Sequence, residues 1–83
     1  MGKTKDEHFV LELYKAAQAA NDLEETFNRY EIGSKASLHP KAVNAICRLL
    51  IQANFIRKNG EEGIYLTPHG LKLAKQLLGE DED

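Results

Sequence analysis

IGSKASLHPKAVNAICRLLIQANFI, residues 32–56, is the stretch from which the rest of the chain can be read: two short helices around a tight turn. Val43, Ile46, Cys47, Leu50 and Ala53 recur at the i, i+3, i+4, i+7 spacing that draws one apolar stripe along an α-helix. Successive helical residues turn by about 100°. The opposite side therefore collects Lys41, Asn44, Ala45, Arg48 and Gln52, which are small, polar or basic, with no acid among them. Pro40 suits the first helical position, where its missing N–H has no partner to lose. His39 precedes it as a weak N-cap, a poorer acceptor than Ser or Asp. Asn54 tolerates the left-handed backbone that closes a helix. A helix is predicted from Pro40 to Ala53, followed by a short strand at Phe55-Ile56-Arg57.

Working upstream, a short helix capped by Asn28 carries Tyr30, Ile32 and Ala36 inward, with Gly33 in its middle costing up to about 1 kcal/mol of propensity relative to Ala. Asp22 to Phe27 is too short and acidic for another helix and reads as a turn into a brief extended segment. A first helix is predicted from Lys5 or Asp6 to Ala20. Phe9, Leu13, Ala16, Ala17 and Ala20 fall on one side, with Val10 and Tyr14 beside them. Leu11 falls on the far side among Glu12, Lys15 and Gln18, either exposed or touching a partner.

Downstream, residues 55–58 and 63–66 flank Asn59-Gly60-Glu61-Glu62, and Asn-Gly signals a tight antiparallel hairpin. Thr67 then offers a hydroxyl cap and Pro68 a first helical position. Leu71, Ala74, Leu77 and Leu78 make the inward stripe of a fourth helix that Gly79 stops. The all-acid residues 80–83 read as a solvated tail.

Eighty-three residues allow one domain, residues 1–83, with an ordered part of about 6–78. Its 42% hydrophobic and 29% charged residues are those of an ordinary globular chain. No apolar run approaches the ~20 residues of a membrane span, and MGKTKDEH lacks a signal peptide's apolar core. The expectation is a cytoplasmic protein without membrane contact. The lone Cys47 lies on the apolar stripe and reads as a buried structural thiol. The net charge of −2 hides a segregation. Residues 28–58 hold Arg29, Lys35, Lys41, Arg48, Arg57 and Lys58 against the single acid Glu31. His8, His39 and His69 match no zinc spacing, and there is no phosphate-binding glycine loop and no nucleophile with a base. The expectation is a non-enzyme with no cofactor and no metal.

The element order resembles the winged helix-turn-helix superfamily across residues 6–78. Its pattern of an Ile, a small residue, an apolar residue, a cap and a branched residue falls on Ile32, Ala36, Leu38, His39 and Val43. It continues on Ile46, Leu49, Leu50, Phe55 and Ile56, and Tyr65-Leu66-Thr67-Pro68-His69-Gly70 is similar to the family's entry into its last helix. In that last segment Thr67 caps and Gly70 permits close packing. The resemblance implies a mainly α fold with a small β-hairpin: a three-helix core, a two-stranded wing and a C-terminal helix. Ser37 stands where the family's turn often has Gly, which is tolerable if the backbone avoids positive φ there. The wing tip carries Glu61 and Glu62 where a DNA-contacting wing carries cations.

The implied function is binding of double-stranded DNA through the third helix, as a small transcriptional regulator or DNA-associated accessory factor. In that reading Arg48 reads a guanine, Asn44 an adenine and Lys41 a phosphate or guanine, while Ala42 and Ala45 let the helix sit deep. Arg29, Ser34 and Lys35 supply phosphate contacts from the preceding helix and its flank. A homodimer through the first and fourth helices would strengthen such binding. The alternative is a winged helix used as a protein-protein interaction module, for which the acidic wing, the acidic first helix and Leu11 speak.

Overall fold

A computed structural model describes residues 3–79, so the acidic tail at 80–83 lies outside the described residues. The element order is α1 (Lys5–Ala19), β1 (Phe27–Asn28), α2 (Arg29–Lys35), α3 (Pro40–Gln52), β2 (Ile56–Asn59), β3 (Gly63–Leu66) and α4 (Pro68–Leu78). Helix starts follow local chemistry. Thr4 and Glu7 form a reciprocal capping box at α1, and Asn28 Oδ1 accepts from Tyr30 N at 2.8 Å at α2. Pro40 opens α3, as expected, and His39 makes no side-chain cap bond. At α4, Thr67 Oγ1 accepts from Gly70 N at 2.9 Å and donates to Asn54 O at 2.6 Å, tying the start of α4 to the end of α3.

The first three helices stop by one device. The N–H groups of Asp22, Leu38 and Phe55 reach back to the carbonyls of Ala17, Gly33 and Leu50 at 2.8–3.1 Å. Asn21, Ser37 and Asn54 take positive φ just before them. This is the Schellman arrangement, which satisfies carbonyls the helix leaves unpaired. Asn54 behaves as its sequence predicts, whereas Ser37 has φ 61°, so the condition under which Ser replaces Gly without strain is not met. The six-to-one bond from Leu38 to Gly33 demands the left-handed residue, and the tight turn into α3 leaves no alternative path.

Helix α1 forms the centre of the molecule and packs against α2, α3, α4 and β3. Its buried residues, Phe9, Val10, Leu11, Leu13, Tyr14 and Ala17, therefore cover more than half of its circumference. Leu11 is only 4% exposed, correcting its expected position on an outer face. Gly33 of α2 and Val43 of α3 meet where these helices cross, and Gly70 lies against the Phe55 carbonyl, the close approach expected of it. Ala20, Ala53 and Leu78, expected on inward stripes, are exposed, because each falls at or beside a helix end where the neighbouring element has already diverged.

The sheet is three-stranded and antiparallel, in the order β1-β3-β2. The expected hairpin is present, with Asn59 paired to Gly63 and Gly60 at φ 83° in the connection. The third strand comes from the segment the sequence left as a brief extension, Phe27 pairing with Ile64 and Asn28 with Gly63. Two residues are too few to leave a period-2 pattern. Among the described residues no helix is long and apolar enough to cross a membrane.

Candidate nucleic-acid interface

The buried stripe of α3, Val43, Ile46, Cys47 and Leu50, holds the helix on the core by one side. Lys41, Asn44, Ala45, Arg48 and Gln52 consequently point outward and are all exposed. At the preceding helix, Ser34 and Lys35 are exposed as well, on its last turn. Among the described residues the one ion pair joins Lys15 to Glu12 at 3.8 Å on α1, so Lys35, Lys41, Arg48, Arg57 and Lys58 meet no described carboxylate at ion-pairing distance. The first turn of α3 carries no acid and no side-chain cap, leaving its positive dipole end open to an anion.

Asn44 is oriented from below. The Tyr30 hydroxyl donates to its Oδ1 at 3.1 Å, so its Nδ2 hydrogens are turned to the outside as donors. The expected reading of adenine needs both the oxygen and the nitrogen of the amide. The bond from Tyr30 takes one of the two lone pairs of Oδ1 and leaves the other free to accept.

Arg29, expected to contact phosphate, is largely buried and bonded to the hairpin connection. It is 9% exposed, its Nε and Nη2 donate to the carbonyls of Glu62 at 3.3 Å and Glu61 at 3.1 Å, and its own N–H bonds the Glu62 carbonyl at 2.9 Å. The arginine thus clamps the hairpin connection onto α2, a partner more than thirty residues away that no local pattern reveals. Beneath it, burial pushes the Cys47 thiol up from 9.0 to about 11 despite the opposing pull of the Arg29 charge. Cys47 is fully buried and free, and at neutral pH it is a protonated core side chain.

Lys58, Leu49 and Ile51 add to the surface beyond the residues anticipated. Lys58 follows buried Ile56 by two positions along β2 and pairs with buried Ile64, so its stem shares the face turned toward α3. It joins Arg29, Asn44, Arg48, Ile51 and Gln52 around a cleft of about 390 Å³ between α3 and the hairpin. The alternation that places Lys58 was present in the sequence; the cleft was not. Leu49, which the family pattern pairs with buried Leu50, is 59% exposed on α3, because it lies about 100° off the buried stripe. Among the described residues no group of three or more His, Cys, Asp or Glu could hold a metal ion. The sequence matches no protein-family model, and no curated protein matches it.

Proposed function

We propose that this chain is a winged helix-turn-helix domain that binds double-stranded DNA by laying α3 in the major groove. The observation that carries the reading is the exposed, carboxylate-free set of cations on and beside α3, held outward by the buried stripe beneath it. A 13-residue helix is about 20 Å long, and the major groove, roughly 12 Å wide, admits one. Arg48 and Asn44 donate to base edges, Lys41 to a phosphate or guanine, and Ala45 lets the helix approach closely. Ser34 and Lys35 contact phosphate from the end of α2. Arg29 braces the hairpin through its bonds to the Glu61 and Glu62 carbonyls. A role as a small transcriptional regulator or DNA-associated accessory factor fits a domain of this size.

The test is fluorescence anisotropy with a mixed-sequence duplex at low salt. Each phosphate neutralised lowers the slope of log K against log salt by about 0.9, so four contacts give a slope near −3.6. Replacing Lys41 and Arg48 by Glu should abolish binding with unchanged circular dichroism, and retained binding would remove the case for α3. A second reading, docking of α3 on a protein, is favoured by one observation, the exposure of Leu49 and Ile51 on the same helix. Affinity insensitive to salt and lost on Leu49→Ala would select it.

A further inference from the structure

We infer that the cleft between α3 and the hairpin is a discrete oxyanion site that holds one phosphate group, with Arg29, Arg48 and Lys58 as its cations. Three chain segments supply these side chains: α2, α3 and β2. No lining residue is acidic. The wing-tip acids stay off the cleft: the Glu62 carboxylate accepts from Asn28 Nδ2 at 2.9 Å, and neither Glu61 nor Glu62 lines the space through its side chain.

Arg29 is the strongest argument. It is more than nine-tenths buried, yet among the described residues no carboxylate pairs with it, and neutral carbonyls take only two of its five donors. A buried charge without a counterion is unfavourable, and an anion beside it offsets that cost. Asn44 presents Nδ2 because Tyr30 holds its oxygen, and Gln52 adds a second amide. Ile51 supplies the one apolar side chain of the lining. The cleft, about 390 Å³, is large enough to take a phosphate group.

The identity of the natural occupant rests on the DNA-binding reading above: it is a backbone phosphodiester beside the groove that α3 enters. The hairpin then contributes through Lys58 on its stem, and its acidic tip points away from the duplex. This resolves the conflict between a cationic helix and an acidic tip.

The experiment is a ¹H–¹⁵N NMR titration of the full chain with inorganic phosphate at constant ionic strength, chloride serving as the control. The expected result is saturable shifts at Arg29 Nε, the Asn44 and Gln52 side-chain amides and the Lys58 amide. Substituting Ala for both exposed residues, Arg48 and Lys58, should weaken the phosphate response at least tenfold while the remaining spectrum stays folded. In the duplex assay, Lys58→Ala alone should reduce the salt slope by about 0.9 without altering sequence preference. Shifts absent from the cleft, or spread evenly over all surface lysines, overturn the site, whether or not duplex binds. A saturable cleft response without any duplex binding keeps the oxyanion site and overturns its assignment to DNA.

Discussion

Replacing Gly33 by Ala is expected to destabilise the protein even though it improves a helix. An ideal Cβ at this position would lie 2.2 Å from Val43 Cγ2 and 3.4 Å from Val43 Cβ. Non-bonded carbons prefer about 3.5–4.0 Å. Val43 is 1% exposed and cannot swing its methyl into solvent, so α2 and α3 must move apart. Overpacking of this kind costs about 1–3 kcal/mol, and the propensity gain of Ala over Gly returns up to about 1 kcal/mol. The net loss is about 1–2 kcal/mol, equivalent to roughly 5–15 °C in Tm for a chain of this size. Urea denaturation followed by circular dichroism reads it as a lower midpoint at unchanged slope. A double-mutant cycle isolates the cause. With Val43→Ala the offending methyl is gone, so Gly33→Ala should become neutral or stabilising, a coupling of about 1–3 kcal/mol. A Gly33→Ala variant as stable as the parent, or equal effects in both backgrounds, would refute the argument that this glycine is there to let two helices cross.

Ser37→Gly should raise stability by about 0.5–1 kcal/mol in the same assay, since a non-glycine residue pays about 1–2 kcal/mol at φ 61° and glycine returns part of that as unfolded-state entropy. His39→Ser and His39→Asp should each add about 1 kcal/mol by supplying the missing α3 cap. In the anisotropy assay His39→Asp should weaken duplex binding more than His39→Ser, because it brings a carboxylate to the cationic face. The raised Cys47 pKa means that the unfolded thiol ionises first as pH rises, while the folded one keeps its proton until about 11. Stability should therefore be unaffected by this group below pH 9 and fall between 9 and 11 by on the order of 2 kcal/mol, a pH dependence that Cys47→Ala removes.

Much of the architecture was legible because its determinants are local. Pro40, Pro68, Asn28 and Thr67 announce helix starts through backbone chemistry within three residues, and each is used as expected. Asn54 closes α3 and Asn59-Gly60 opens the hairpin connection for the same reason. The outward face of α3 was legible too, since a stripe as regular as Val43, Ile46, Cys47 and Leu50 fixes which side remains. Burial at the margins was harder. Leu11 is covered because α1 is surrounded on several sides, although periodicity put it on the far side; Leu49 is bare because nothing reaches its flank, although the family pattern pairs it with buried Leu50. Ser37 escaped because serine is neutral about positive φ; only the bond from Leu38 to Gly33 reveals the demand.

By itself the sequence determined where helices begin and end, which face of α3 is greasy, and that the cations of residues 28–58 stand apart from the acids. Those properties depend on neighbours within a turn or two along the chain. Only the tertiary structure decided that Arg29 bonds the carbonyls of Glu61 and Glu62 instead of facing outward, and that Lys58 meets Arg48 across a cleft. Such partners lie ten to more than thirty residues apart, and a side chain's surroundings at that separation are set by how whole elements pack, which no short window of sequence encodes.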